Sequence, residues 1–220
     1  MAEAKTRVVL ADDHAIVRRG IMSVLSRLGD VVVVGEAADG SKALDMCIQT
    51  RPDIVILDIT MPEMNGIVAA KAIRELCPDT SIIILSMHVE DDIVVEALRS
   101  GAAGYVLKEG LLDELTEAVR VVGEGGTYLS PDIASVLVRK LLDRNGGASR
   151  ERAPLDILSV REMQVLQMLS EGRSTKEIAS RLGLSPKTVD NHKANIMKKL
   201  EIYDVPTLVR FALKTGITKL

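Results

Sequence analysis

Aromatic side chains are almost missing from this sequence: 220 residues hold no tryptophan, one phenylalanine and three tyrosines. Proteins that read single strands or RNA stack bases on aromatic rings, so that mode of recognition has little to work with here. Cysteine is equally sparse. Cys47 and Cys77 stand alone in segments of helical pattern, which excludes a disulfide scaffold or a cysteine-based metal cluster and suits reduced packing thiols. His14 and His88 carry no metal-ligand spacing and are expected at the surface. No apolar run approaches the roughly 18 residues of a membrane span. The opening MAEAKTRVVLADD lacks the basic and long apolar stretches of a secretory signal, so a cytoplasmic location without membrane contact is expected.

What remains is an ordinary soluble balance, 47% hydrophobic and 27% charged, with a length that suits two modest domains. The net charge of −3 conceals a split: residues 1–154 hold 17 Lys+Arg against 24 Asp+Glu, net −7, and residues 155–220 hold 11 against 7, net +4. Opposite signs in the two halves predict different partners, with nucleic acid a candidate for the basic one. Between them DRNGGASRERAP is rich in glycine and charge and poor in apolar residues, as a flexible linker is. The expected division is a first domain over 1–124, a linker over 125–154 containing a helix near 131–142 that Ser130-Pro131 opens, and a second domain over 155–220.

Five continuous β-branched runs, RVVL (7–10), VVVVGEA (31–37), DIVIL (53–57), SIIILS (81–86) and GYVL (104–107), read as strands covered on both faces. Helical spacing lies between them, for example at Ile16, Met22 and Leu25. Repeated strand and helix predict an α/β doubly wound five-stranded parallel sheet, whose ligand site lies beyond the carboxyl ends of the strands. On that edge stand Asp12 and Asp13, Asp58, Ser86 and Lys108. A lone strand-end aspartate is usually a helix cap; five such residues converging are not. Three carboxylates in one place call for a cation, and all-oxygen ligation by few carboxylates suits Mg²⁺. A lysine and a hydroxyl beside it fit an arriving phosphoryl group, with Asp58 as nucleophile.

The second domain reads as all helix. Capping boxes Ser159 with Glu162 and Ser174 with Glu177 announce two helices, Ser185-Pro186 a third, and the short break GLS between the last two is that of a helix-turn-helix. Over 186–200, Val189, Ile196 and Leu200 form a stripe to bury, and Lys187, Asn191, Ala194 and Lys198 face the other way. That face suits a DNA major groove: asparagine pairs with adenine, alanine meets a thymine methyl, lysine reaches phosphate or guanine. Thr188 and Asp190 flank it, and Lys187, Lys193, Lys198 and Lys199 are the expected phosphate contacts. Around VPTLVRFALKTG a last helix has apolar residues to spare for pairing two protomers.

Residues 5–124, through Asp12-Asp13, LDITMPEMNG, Ser86 and GYVLK, resemble the receiver domain of two-component response regulators. Residues 155–220, through LSVREMQVLQMLSEG and STKEIASRLGLSPKTVDNHKANIMKKL, resemble the LuxR-type helix-turn-helix, and the whole is similar to the NarL/FixJ family. The resemblance implies that Asp58 accepts a phosphoryl group from a sensor histidine kinase. It implies Mg²⁺ held by Asp13, Asp58 and the Thr60 carbonyl, with Asp12 on a metal-bound water. Lys108 would contact the phosphoryl oxygen, Ser86 would move toward it, and Tyr105 would rotate inward in concert. DNA binding would be switched through domain release and homodimer formation, with RNA polymerase as a further partner. Such a chain is a phosphoacceptor and not a turnover enzyme. Two rival readings fit less well. A haloacid-dehalogenase-like phosphotransferase needs a second aspartate where Thr60 stands, and a receiver that no longer takes phosphate has usually lost an acidic residue or the lysine, all of which are present. Glu109 follows Lys108 where many receivers have proline, which opens the question of that peptide's isomer.

Overall fold

A computed structural model describes residues 5–143 and 155–218 of the chain. It divides into two compact units, Met1–Gly147 and Ala148–Leu220. The glycine-rich part of the expected linker, 144–154, lies outside the described residues.

The first unit is a parallel sheet of β1 (Thr6–Ala11), β2 (Val31–Ala37), β3 (Ile54–Asp58), β4 (Ser81–Ser86), β5 (Gly104–Leu107) and β6 (Tyr128–Leu129), in the order β2-β1-β3-β4-β5-β6. Its helices are α1 (Ala15–Leu25), α2 (Gly40–Thr50), α3 (Gly66–Leu76), α4 (Asp91–Arg99), α5 (Leu111–Gly123) and α6 (Pro131–Asp143). Every residue of β3 is buried, which is why its sequence shows no alternation. On one face Val8, Leu10, Ile54, Ile56, Ile83, Leu85 and Val106 pack with Ile21 and Leu25 of α1 and Leu115, Ala118, Val119 and Val122 of α5. Each large aliphatic side chain so buried stabilises the fold by about 1.5–3 kcal/mol. The strand order reverses between β1 and β3, and this opens the crevice at their carboxyl ends.

Two expectations need correction. The sheet has a sixth strand: Tyr128 and Leu129 pair in parallel with Gly104 and Tyr105. Two residues are too short to show a period, so nothing in the sequence pattern marks them. With β6 and α6 built into the first unit, residues 128–143 are part of that unit and not of a linker. The helical spacing at Ile16, Met22 and Leu25 is that of α1, which turns Ile21, Val24 and Leu25 to the core and leaves Ile16 84% exposed.

The second unit contains α7 (Val160–Ser170), α8 (Thr175–Leu182), α9 (Pro186–Leu200) and α10 (Val205–Lys214). Both capping boxes form, each serine accepting from the backbone of its glutamate while the glutamate accepts in return. Gly183 closes α8 in the left-handed region, φ 64°, where a side chain would be strained, and Ser185 then caps α9 by accepting from the Thr188 N–H. Val189 and Ile196 bury against this framework. On α10 Leu208 and Ala212 are buried, whereas Val209, Phe211 and Leu213 are half-exposed and Val205 is exposed. Among the described residues no helix is long and apolar enough to cross a membrane.

Candidate functional site

The crevice is lined from four strand ends. Asp12 and Asp13 follow β1, Asp58 ends β3, Ser86 ends β4 and Lys108 follows β5. After Asp58 the chain must double back to start α3. Gly66 allows this: its N–H bonds the Ile59 carbonyl at 2.9 Å, and a Cβ there would overlap the Asp58 carbonyl oxygen. Asn65 caps the helix by accepting from the Val68 N–H at 2.8 Å. The turn in LDITMPEMNG therefore sets the Asp58 carboxylate at the strand end while returning the backbone directly beneath it.

The Lys108 ammonium lies 2.7 Å from Asp12 Oδ2 and 2.9 Å from Asp58 Oδ2. Asp12 is fully buried, its other oxygen accepting from the His14 N–H at 2.7 Å, and Asp58 is 3% exposed. One positive charge thus faces two buried negative ones. Burial pushes the Asp58 carboxyl above its ordinary value, and Asp12 adds to the push, although Lys108 and the Thr60 N–H pull the other way. Burial alone would lower Lys108, but its bonds to Asp12 and Asp58 raise it instead. Both directions report the same shortage of positive charge.

Asp13 Oδ1 is buried without a hydrogen-bond partner. The His14 ring nitrogen stands 2.8 Å away but not in bonding orientation, and Asp12, Asp13, His14 and Asp58 each offer a ligand atom within 4.8 Å of the others. An orphaned carboxylate oxygen beside two undercompensated carboxylates is a donor set fitted to a divalent cation. His14 is exposed, as expected, yet its ring reaches this cluster, which ligand spacing in the sequence did not reveal.

Because the folded-state value of Asp58 is raised, its charged form costs stability as pH climbs from the ordinary aspartate range through the folded value. Without divalent cations, Asp58→Asn is expected to stabilise the first unit near neutral pH by about 1–2 kcal/mol, since Lys108 keeps Asp12 as its partner. Thermal unfolding with chelator present measures this; a variant no more stable than wild type contradicts the charge shortage.

The far side of the crevice is set by hydrogen bonds. The Ser86 hydroxyl accepts from the His88 N–H at 2.9 Å, and the Tyr105 hydroxyl donates to the His88 carbonyl at 2.9 Å. Tyr105 is fully buried, and burial drives its hydroxyl up to about 12. The ring, expected to move inward, is already inside. Among the described residues no peptide bond is cis, so the bond between Lys108 and Glu109 is trans. Arg18 also escaped notice in the sequence: it donates to the Asp12 carbonyl at 2.7 Å and fixes that loop.

In the second unit Lys187, Asn191, Ala194 and Lys198 are exposed along one face of α9, Thr188 and Lys193 are half-buried beside it, and Asp190 accepts from the Thr175 hydroxyl at 3.2 Å. Lys199 departs from expectation. Its ammonium pairs at 2.7 Å with Glu162, which is 4% exposed, so this lysine braces α9 to α7. Burial would raise Glu162, but Lys199 and the Ser159 backbone and hydroxyl hold it below the usual range.

Residues 8–120 match the family model described as response regulator receiver domain, and residues 156–212 that of bacterial regulatory proteins of the luxR family. The chain is similar to the oxygen regulatory protein NreC of Staphylococcus carnosus strain TM300, 41% identical over 94% of this chain and 97% of that protein. It is likewise similar to the transcriptional regulatory protein DegU of Brevibacillus brevis, 36% identical over 99% of this chain and 97% of that one. Among solved structures, RcsB from Salmonella enterica serovar Typhimurium, bound to promoter rprA with the phosphomimetic BeF₃⁻, superposes with a TM-score of 0.60 at 29% identity, covering 97% of this chain and 100% of that one.

Proposed function

We propose, for a chain that belongs to the NarL/FixJ family of response regulators, each a receiver joined to a LuxR-type DNA-binding domain, that Asp58 is the phosphoacceptor whose state switches binding of the second unit to duplex DNA. The observation that carries this is the Lys108 ammonium shared between Asp58 and Asp12 at one strand edge, with Ser86 on the neighbouring strand. Asp13, Asp58 and the Thr60 carbonyl would hold Mg²⁺, with Asp12 orienting a water upon it. That ion supplies neutralising charge for a transferring phosphoryl group.

A carboxylate oxygen of Asp58 forms the bond to phosphorus as the bond to the donor's imidazole breaks, the donor being a sensor histidine kinase. Lys108 gains a phosphoryl oxygen in place of the Asp58 oxygen it now holds. Ser86 turns its hydroxyl toward the same group and gives up the His88 N–H. Tyr105, held by the His88 carbonyl, reports that loop movement. The chemistry happens once per activation, so the chain is a phosphoacceptor and not a turnover enzyme. The switch works through release of the DNA-binding unit and pairing of protomers, for which the half-exposed apolar residues of α10 are suited, with RNA polymerase a further partner.

Lys187, Lys193 and Lys198 bind phosphates, while Thr188, Asp190, Asn191 and Ala194 face the bases. The test is duplex binding with and without beryllofluoride and Mg²⁺. Affinity for the preferred site is expected to rise in wild type and stay flat in Asp58→Asn; an equal response in both refutes the switch. Asn191→Ala is expected to cost about 1–3 kcal/mol on the preferred site and little on random duplex. Equal losses on both duplexes remove Asn191 from base reading.

A further inference from the structure

The segment after α5 is tied to both halves of the phosphoacceptor site. At its near end Ser130, 1% exposed, donates its N–H to the Tyr105 carbonyl at 2.9 Å, and its hydroxyl accepts from the Leu107 N–H at 3.0 Å while touching the Glu114 carboxylate. Those two backbone groups flank Val106, between Tyr105 and the end of β5 that leads into Lys108. Toward its far end α6 packs on α4, buries Ile133 and Val136, and closes with Lys140 at 2.7 Å from Asp92. Val89 shares a surface groove with Asp132, Ser135, Val136 and Arg139. Val89 and Asp92 belong to the short stretch that starts from Ser86 and runs through His88 into α4. One helix therefore rests on the β5 end through Ser130 and on the β4–α4 connection through Lys140.

We propose that Ser130 and α6 form a relay: Ser130 is a positioning residue for the β5 end of the site, and the α4–α6 contact is the one that phosphorylation loosens. This rests on the reading of Asp58 as phosphoacceptor. When Ser86 turns to the phosphoryl group, the His88 N–H loses its acceptor, and the connection shifts while β5 stays anchored by Lys108. A rigid helix cannot follow both supports, so the weaker, half-exposed Lys140–Asp92 support gives way and the buried Ser130 one holds. Linkage makes the effect reciprocal: whatever weakens α6 on α4 must strengthen binding of a phosphoryl mimic by the same factor.

The test uses the full chain with beryllofluoride and Mg²⁺, titrated calorimetrically, together with amide hydrogen exchange. In wild type, saturation is expected to speed exchange in 134–143 about tenfold and to leave α5 unchanged. Lys140→Ala is expected to bind the mimic about 2–5-fold more tightly, the range an exposed ion pair allows. The charge-swapped pair Lys140→Asp with Asp92→Lys is expected to return toward wild-type affinity, and Ser130→Ala to make Lys140→Ala silent. Wild type that binds no beryllofluoride defeats the phosphoacceptor reading itself. Wild type that binds it, with exchange in α6 unmoved or Lys140→Ala without effect, overturns the relay alone.

Discussion

Incubated with acetyl phosphate and Mg²⁺, the protein is expected to gain the mass of one phosphoryl group, and the Asp58→Asn variant none. The loss should be complete because no other carboxylate in the crevice is placed for attack. Asp12 is fully buried, with one oxygen on Lys108 and the other on the His14 N–H. Asp13 lacks the lysine that would meet the incoming phosphoryl oxygens, since Lys108 pairs with Asp12 and Asp58. Asparagine keeps the shape of the site but has no anionic oxygen to form the bond, and in-line attack depends on fixed geometry between nucleophile, cation and donor. Chelating Mg²⁺ should abolish uptake in wild type. Intact-protein mass spectrometry decides the matter: a phosphorylated Asp58→Asn would move the acceptor elsewhere.

Binding to random duplex should fall steeply with salt. Phosphate contacts by Lys187, Lys193 and Lys198 give a log–log slope of about −2.7, or about a 40-fold loss per protomer between about 50 and 200 mM salt. Lys199 is left out of that sum because its charge is spent on Glu162. Lys199→Met is therefore expected to leave the slope unchanged but to destabilise the second unit by about 1–3 kcal/mol, by stranding a buried carboxylate. Lys198→Met should do the reverse, reducing the slope by about one with little cost in stability. A slope that falls equally for both variants would return Lys199 to the DNA surface.

Features written in local pattern, or fixed by the topology of the sheet, were legible in the sequence, and individual side-chain pairings between distant residues were not. The strands at 31–37, 81–86 and 104–107 agree residue for residue with the observed ones, because runs of valine and isoleucine between turn residues have few other uses. Both capping boxes and the proline-opened α9 follow from short-range chemistry for the same reason. The acidic edge was legible too, since doubly wound sheets bring strand ends together regardless of detail. By contrast, Lys199 and Glu162 stand 37 positions apart, and only the packing of α7 on α9 shows that one neutralises the other. Charge alone made Lys199 resemble its neighbour Lys198. The sixth strand was hidden by brevity.

The matched receiver region ends at residue 120, yet β5 finds its outer neighbour only at 128–129. A cut placed after α5 would strip that neighbour away, leaving the outer edge of β5 with unpaired backbone groups open to another chain's strand. It would also remove Ser130, the acceptor for the Leu107 N–H beside Lys108. The natural seam for grafting a different output domain onto this receiver therefore lies beyond Asp143. A chimera joined there inherits a finished sheet, and one joined at 120 inherits an adhesive edge.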